Sequence, residues 1–342
     1  MKRSLRWLIL GCMTGVLLCG CGAQETGSSS STSGSAEASQ DFYAMDTYMS
    51  IQAYGGDAQE AVNDCVQYIN QLEKEISRTN KKSEIYQLNK TGSTTVSDET
   101  ADILNAALEL AKQSDGYFDP TVAPLSDLWQ IGTEDAHVPK KSEIQKARKL
   151  VDYTKVEVDG DTVTMPKGMK IDLGGIGKGY AADHVTQLLR DKGVTGAIVA
   201  LGGNIYAVGT KNNGDNWNVA IADPDNNDYL GKLSVSDTSV VTSGDYERYF
   251  EQDGVRYCHI FDTATGSPAQ SDLRSVTIVS DSSTQADAFT TALFVMGYDK
   301  AQKFCEENDI QAVFVCRDKT VHVTDGLKDC FTLINSEYTY EK

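Results

Sequence analysis

The sequence predicts an α+β fold in which mixed β-sheets are flanked by helices. Short apolar runs occur throughout the chain, and segments with helical spacing interrupt them at irregular intervals. This pattern fits an α+β domain better than a regular βαβ repeat. Because no Ser- or Gly-rich break follows Asp41, residues 41–342 are long enough for one large core or two tightly joined lobes. We interpret them as a single domain.

Strands and helices can be assigned to the first half of this domain. Asp57 and Glu60 have capping-box spacing and precede apolar residues at helical intervals, while Gly116 follows a second helical run as a stop. The predicted elements are a strand over Phe42–Tyr54, a helix with an apolar face from Ala58 to Ile76, a helix over Ser97–Ser114, a hairpin of Lys155–Val158 with Thr162–Met165, and a strand over Met169–Leu173.

The second half is predicted to contain three more helices among short strands. Gly193 and Gly297 follow two helical runs as stops, and Ser283 has the position of an N-cap. The predicted helices cover about Lys178–Asp191, Ser283–Met296 and a short run to Asn308; the apolar runs are Ala197–Leu201, Trp217–Ala222, Val240–Thr242, Tyr257–Phe261 and Val276–Val279, followed by a terminal pair of strands.

The N-terminal residues have the features of an export signal. Lys2, Arg3 and Arg6 form a positive region, and the apolar stretch Leu5–Leu18 is too short for a stable membrane span. We therefore predict a signal peptide over residues 1–20.

The end of this signal is similar to a bacterial lipobox, Leu18-Cys19-Gly20-Cys21, in which cleavage precedes a lipidated cysteine. We predict lipidation of Cys21, which would anchor the protein at the extracytoplasmic face of the cell membrane. Cleavage near Ala23 is the alternative and would make Cys21 incidental. Residues 22–40 are nearly all small or polar, so residues 21–40 are predicted to form a lipidated, flexible tether.

Composition excludes two classes of partner or site. The formal net charge is −18 at pH 7, which argues against nucleic acid as a partner. The cysteines beyond the N-terminal region lack CxxC spacing, which argues against a zinc site or a full disulfide framework; they are Cys65, Cys258, Cys305, Cys316 and Cys330. One or two disulfide bridges and buried free thiols both remain open.

A glycine-rich turn, Asp172-Leu173-Gly174-Gly175-Ile176-Gly177-Lys178-Gly179, joins a predicted strand to a predicted helix. Glycines let the backbone approach a ligand closely, and N–H groups at a helix start favour phosphate oxygens. The turn is neither a Walker A loop nor a GxGxxG dinucleotide fingerprint. A tight structural turn is the alternative interpretation.

Asp287 and Thr291 lie four residues apart on a predicted helix and therefore share a face. A carboxylate beside a hydroxyl suits a hard cation such as Mg²⁺, which takes phosphate oxygens and water as its other ligands. The alternative is that Asp287 interacts with the helix dipole and Thr291 bonds its own backbone.

His259 ends a predicted strand, before the turn-rich segment Asp262–Gly266. A neutral imidazole near a metal-bound phosphate can accept a proton from an attacking hydroxyl. A structural histidine is the alternative. The sequence lacks a GxSxG elbow, which argues against Ser/His/Asp acyl transfer.

Taken together, eight short blocks in order resemble the ApbE family of FAD:protein FMN transferases, from Phe42 to the C-terminus. The blocks are Met45-Asp46-Thr47, Ser83-Glu84-Ile85, Gly116–Val122, Ile171–Ala181, Leu201-Gly202-Gly203-Asn204, Ser243-Gly244-Asp245-Tyr246, His259–Asp262, and Ala286-Asp287-Ala288 with Thr291-Ala292. The resemblance implies a single ApbE-like domain.

The resemblance also implies roles for individual residues. Asp287, Thr291 and the backbone carbonyl of Gly175 match magnesium ligands, and His259 matches a catalytic histidine. Positions that match FAD contacts are Met45, Tyr117, Phe118, Asp119, Asp172, Lys178 and Phe261. Thr79 departs from the family, because some members have an aromatic residue there that touches the flavin. Gly175 stands where others have Ala or Thr, a difference that leaves a carbonyl ligand unaffected.

The implied reaction is Mg²⁺-dependent transfer of FMN from FAD, the substrate, to a Thr or Ser hydroxyl of an extracytoplasmic flavoprotein, with release of AMP. The implied acceptor segment is Ser/Thr-Gly-Ala-Ser/Thr. Here Thr195-Gly196-Ala197 is followed by Ile198, so the acceptor is expected to be another chain. FAD hydrolysis to FMN and AMP is one alternative function, and a non-catalytic flavin-binding lipoprotein is another.

Overall fold

Nineteen strands and eight α-helices are assigned in residues 37–341, the part of the chain that this computed structural model describes. The strands are β1 (Glu37–Ala44), β2 (Thr47–Tyr54), β3 (Ser93–Thr95), β4 (Glu157–Asp159), β5 (Thr162–Thr164), β6 (Gly196–Leu201), β7 (Asn204–Gly209), β8 (Trp217–Ala222), β9 (Tyr229–Val235), β10 (Thr238–Gly244), β11 (Tyr249–Gln252), β12 (Val255–Cys258), β13 (Phe261–Asp262), β14 (Ser267–Pro268), β15 (Leu273–Ser280), β16 (Gln311–Cys316), β17 (Thr320–Val323), β18 (Phe331–Leu333) and β19 (Thr339–Glu341). The helices are α1 (Ala58–Ile76), α2 (Glu84–Thr91), α3 (Asp98–Gln113), α4 (Ala123–Trp129), α5 (Lys141–Arg148), α6 (Gly177–Asp191), α7 (Ser283–Met296) and α8 (Tyr298–Asn308).

A nine-stranded sheet in the order β1-β2-β6-β7-β10-β15-β16-β17-β19 is the centre of the fold. Its neighbouring strands are antiparallel except β17 and β19, which run parallel. Two three-stranded sheets, β18-β9-β8 and β3-β5-β4, and two short hairpins complete the strand structure of the described residues. The predicted α+β class is confirmed.

The large sheet separates two apolar cores. On one face it packs against α1, α6 and α7, where Ile69, Val185 and Phe289 are buried together with residues of β2 and β6. On the other face it packs against the β18-β9-β8 sheet, with Trp217 and Val313 in the shared core. Both faces of the central strands are therefore buried, which explains their nearly continuous apolar runs.

The first hairpin differs from the single strand predicted over Phe42–Tyr54. That prediction was wrong, because Met45 and Asp46 form a tight turn with positive φ angles of 49° and 57°. Methionine is an uncommon residue in this left-handed region, so the sequence contains no turn signal here. β1 also begins at Glu37, before the predicted domain start at Asp41.

Several predicted element boundaries were also wrong. Asp57 makes no side-chain capping bond, and Glu60 pairs with Lys192 instead. Helix α7 is capped by Ser282 rather than Ser283, since the Ser282 Oγ accepts from the Gln285 N–H at 3.2 Å.

Other predicted strands are shorter than expected, and three helices were missed. The predicted strand Met169–Leu173 is reduced to two isolated bridges, which pair Lys170 with Val122 and Met169 with Lys167. The predicted strand Tyr257–Phe261 is interrupted, because β12 ends at Cys258 and β13 begins at Phe261. The helices α2, α4 and α5 had no assignment from sequence.

The five cysteines in residues 37–341 are free thiols. Cys65, Cys258, Cys305 and Cys316 are buried, and Cys330 is partly buried. Burial raises the pKa of the Cys65 thiol to about 12, because the charged thiolate would lose its hydration. The structure thus supports the buried-thiol alternative rather than disulfide bridges.

The predicted signal peptide, Cys21 and residues 22–36 of the tether lie outside the described residues. Within residues 37–341 no helix has both the length and the apolar character needed to cross a bilayer.

Helices α6 and α7 cross in backbone contact at Gly179. A Cβ atom at this position would lie 2.2 Å from the Ser283 carbonyl oxygen and 2.8 Å from the Asp287 Cβ. Glycine is therefore required sterically where the two helices meet.

We expect Gly179→Ala to lower the free energy of unfolding by about 3 kcal/mol, because the added methyl group must push α7 away from α6. Chemical denaturation would measure the change. Gly160→Ala is the control: Gly160 has a φ of 58° but no atom within 4 Å of an added Cβ, so only a backbone cost of about 1 kcal/mol is expected. Equal losses in the two variants would contradict the steric explanation.

Candidate active site

The glycine-rich turn before α6 is held by charged side chains. Asp172 accepts from the Gly174 N–H at 2.9 Å through Oδ1, and its Oδ2 pairs with the Arg78 Nε at 3.0 Å. The Lys178 Nζ donates back to the Gly174 carbonyl at 3.2 Å. Arg78 also pairs with Asp127 at 2.7 Å. The predicted turn therefore has a fixed backbone at the N-terminus of a helix, where anions are favoured.

Asp287 faces this turn from α7. It is only 3% exposed, and its Oδ2 accepts from the Gly179 N–H at 2.9 Å. Its Oδ1 lies 3.6 Å from the Lys178 Nζ. The Oδ2 atom therefore fixes the side chain, and the Oδ1 atom faces the Lys178 ammonium.

Thr291 and Gly175 are adjacent. A Cβ atom on Gly175 would lie 3.6 Å from the Thr291 Oγ1 and 3.3 Å from the Phe118 ring. The three residues that were predicted as magnesium ligands thus come from two elements that meet, the turn before α6 and the side of α7 that faces this turn. Phe118 is itself buried behind Gly175.

The donor set of this arrangement fits Mg²⁺. It consists of a carboxylate, a hydroxyl and a backbone carbonyl, all hard oxygen donors. Within residues 37–341 no group of three or more His, Cys, Asp or Glu side chains is arranged to hold a metal. A cation here would therefore depend on oxygens from its substrate and water to complete its coordination.

His259 lies between β12 and β13 with its ring in a positively charged environment. Its backbone N–H donates to the Arg248 carbonyl at 3.0 Å, and its Nδ1 is buried without a hydrogen-bond partner. Burial of the ring, together with the charges of Arg248 and Lys178, lowers the pKa of His259 to about 4. The imidazole is therefore neutral at pH 7 and can accept a proton.

Glu247 and Arg248 are site residues that sequence reasoning missed. Glu247 Oε1 lies 3.4 Å from a Cβ placed on Gly203, in the turn between β6 and β7. Glu247 is exposed as a residue, but its carboxylate loses hydration to the surrounding protein, and this desolvation raises its pKa. The charges of Lys178 and Arg248 lower the pKa, and the charge of Asp287 raises it. The signal was available, because both residues directly follow the block Ser243–Tyr246.

Asp245 anchors the segment that presents Glu247 and Arg248. It is 1% exposed and accepts from Arg274 at 2.9 Å and from Arg317 at 2.8 Å. Both arginines therefore neutralise a carboxylate that would otherwise be buried at high cost.

Met45 lies in the turn between β1 and β2 and contacts Glu73. Its N–H donates to the Glu73 Oε1 at 3.0 Å, and Arg248 donates to the Asp46 carbonyl at 3.3 Å. Glu73 and Thr79 line a cavity of about 310 Å³. Met45 and Thr79, two positions that the family resemblance associates with flavin contact, therefore both lie near this cavity: Thr79 lines it, and Met45 bonds Glu73, which also lines it.

Three other residues that were predicted to contact FAD, Asp119, Phe261 and Tyr117, bond or pack against other parts of the protein. Asp119 is buried and accepts from the Thr121 and Tyr153 N–H groups at 2.8 and 3.2 Å, so its carboxylate braces its own loop. Phe261 is buried beside Trp129 in a small satellite core. The Tyr117 hydroxyl accepts from the Lys300 Nζ at 3.2 Å. Contact of these three side chains with FAD stays a prediction.

The chain is similar to known proteins over most of its length. A model of the ApbE family matches residues 45–314. The chain is 40% identical over 260 residues to the FAD:protein FMN transferase of Treponema pallidum (strain Nichols), a match that covers 70% of this chain and 72% of that relative.

Solved structures show the same fold. The ApbE protein from Thermotoga maritima has a TM-score of 0.80 and 31% identity, covering 86% of this chain and 99% of that one. The flavinyl transferase ApbE from Pseudomonas stutzeri has a TM-score of 0.79 and 29% identity, covering 87% and 98%. The shared fold and the extent of the sequence match lead to one conclusion: this chain belongs to the ApbE family.

Proposed function

We propose that this protein is an FAD:protein FMN transferase, which moves the FMN half of FAD onto a Ser or Thr hydroxyl of another protein and releases AMP. The observation that supports this most directly is the meeting of the glycine-rich turn with Asp287 and Thr291. The relatives named FAD:protein FMN transferases support the same activity. Mg²⁺ dependence, the acceptor residue and AMP release are part of the proposal.

In this proposal, the FAD pyrophosphate binds at the glycine-rich turn. The N-terminus of α6 and the Lys178 ammonium provide positive charge at the glycine-rich turn. Asp287, Thr291 and the Gly175 carbonyl would hold Mg²⁺. When bound there, Mg²⁺ would act as a Lewis acid for phosphoryl oxygens, a contribution of several kcal/mol.

In this proposal, His259 receives the proton of the attacking hydroxyl. As the hydroxyl oxygen forms a bond to the FMN-side phosphorus, its proton would pass to the imidazole and the phosphoanhydride bond to AMP would break. The neutral ring and its unpartnered Nδ1 support this role. Lys178 and Arg248 would stabilise the negative charge that develops on the phosphoryl oxygens.

The acceptor is proposed to be a separate extracytoplasmic flavoprotein with a Ser/Thr-Gly-Ala-Ser/Thr segment. Within this chain, Thr195 precedes β6 and its Oγ1 donates to the Tyr54 carbonyl at 3.3 Å. The similar Thr195-Gly196-Ala197 segment is therefore part of the central sheet and unsuited to being an acceptor. Lipidation at Cys21 would place the enzyme on the same side of the membrane as its target.

Incubation with FAD, Mg²⁺ and an acceptor domain, followed by intact-mass measurement, should show one FMN phosphoester on the acceptor and free AMP in solution. Replacing the acceptor Ser or Thr by Ala is the control and should abolish the adduct. Free FMN without an adduct would instead indicate FAD hydrolysis, and intact FAD after hours with Mg²⁺ would indicate a flavin-binding protein.

Asp287→Ala should reduce transfer by at least about 100-fold, the factor that corresponds to about 3 kcal/mol of lost charge stabilisation. Asp191→Ala, which removes an exposed carboxylate from α6, is the charge-matched control and should retain activity. Transfer that continues unchanged in the Asp287 variant or in the presence of a chelator would refute the metal site.

His259→Ala should slow the chemical step by about 100-fold and leave FAD affinity within about two-fold of wild type, as expected for a lost proton acceptor. Single-turnover kinetics and equilibrium FAD titration would separate the two quantities. A large loss of FAD affinity would reassign His259 to substrate binding.

The stability that His259 contributes to the ligand-free protein should fall as pH decreases from 6.5 to about 4. His259 has a folded-state pKa of about 4, below its ordinary value of 6.5, so in this window the unfolded state binds a proton that the folded state excludes. Denaturant titrations across the window would measure this slope. His259→Gln should reduce it, and His137→Gln, at an exposed position, should leave it unchanged.

A further inference from the structure

Asp183 lies on α6, one turn beyond Gly179, with its carboxylate at the N-terminus of α7. The Asp183 Oδ1 accepts from the Ser283 N–H at 2.8 Å, and Oδ2 accepts from the Thr284 N–H at 2.9 Å and the Thr284 hydroxyl at 2.6 Å. The Ser282 hydroxyl also donates to the Asp183 Oδ2, at 3.3 Å, so a single carboxylate on one helix bonds four donors at the start of the next. No sequence motif drew attention to this residue.

Asp183 completes a two-point connection between the helices. At one point the Gly179 N–H donates to Asp287, and at the other Asp183 accepts from Ser283 and Thr284. Residues 179 and 183 are one turn apart on α6, and residues 283 and 287 are one turn apart on α7. Two contacts a turn apart fix both the rotation of α7 about its axis and its position along α6.

Capping alone does not account for this arrangement. The N-cap of α7 is Ser282, whose Oγ already accepts from the Gln285 N–H at 3.2 Å. Ser282 also donates to the Asp183 Oδ2, at 3.3 Å, but the bonds from Ser283 and Thr284 to Asp183 are shorter, at 2.6 to 2.9 Å. The bonds to Asp183 are the ones that join the two elements.

We propose that Asp183 is a positioning residue, which holds α7 in the rotation that directs Asp287 and Thr291 toward the glycine-rich turn. The inference rests on the proposed function for the identity of the ligands. It extends that function to a residue that touches neither substrate nor cation. Partners that orient metal ligands typically change metal affinity by about 10–100-fold when they are replaced.

The test compares Asp183→Asn with Ser282→Ala in the full chain. The first substitution keeps the side-chain volume but presents an amide N–H₂ to at least one backbone N–H, which breaks the connection to α7. Ser282→Ala removes the local cap and the longest of the four bonds to Asp183, and it keeps the three shorter bonds from Ser283 and Thr284. Both variants are expected to lose thermal stability to a similar extent, because each loses hydrogen bonds at the same helix end.

Mn²⁺ is the probe for the metal site, and its binding is followed by electron paramagnetic resonance with saturating FAD. We expect Asp183→Asn to weaken Mn²⁺ binding about 10-fold and to raise by a similar factor the Mg²⁺ concentration needed for half-maximal transfer. Ser282→Ala should leave both values within about two-fold of wild type.

The outcomes separate this inference from the proposed function. If wild-type protein with FAD binds no Mn²⁺, the metal site fails and the role of Asp183 fails with it. If wild type binds Mn²⁺ and Asp183→Asn binds it equally well, the positioning role alone is overturned. Equal weakening in both variants would also overturn it, because helix-end stability would then explain the effect.

Discussion

The crossing of α6 and α7 at Gly179 is the constraint on which the candidate site depends. The absence of a side chain at Gly179 lets the two helices approach until the Gly179 N–H reaches Asp287. The same approach brings Thr291 beside Gly175. Because the turn before α6 is held by Asp172 and Lys178, the whole arrangement is fixed by packing and hydrogen bonds between regular elements, which position side chains more accurately than loops do.

Charge is distributed unevenly around this crossing. The chain as a whole is strongly acidic, yet Lys178 and Arg248 both act on His259 and Glu247. These two cations provide positive charge for an anionic ligand at this place, while the acidic chain as a whole repels polyanions. The buried Asp245, held by arginines, keeps the segment with Glu247 and Arg248 in place without adding net negative charge to the cleft.

The parts of the fold that were predictable from sequence are those whose signals are local. Helices α1, α3, α6 and α7 follow from apolar periodicity and glycine stops, and the pairing of Asp287 with Thr291 follows from helical spacing. The turn at Met45 and Asp46 was missed because its residues do not reveal a left-handed backbone. Asp183 was missed for a different reason, since its role arises from contacts with a helix distant in sequence, which a single sequence does not display.

The unbridged cysteines have a consequence for how the domain matures. All five thiols in residues 37–341 are free, and four of them are buried in apolar surroundings where the reactive thiolate is disfavoured. The native fold of this region therefore requires no oxidase or isomerase and is compatible with reducing and oxidising compartments alike. Its assembly is governed by packing of the chain alone, whichever side of a membrane it folds on.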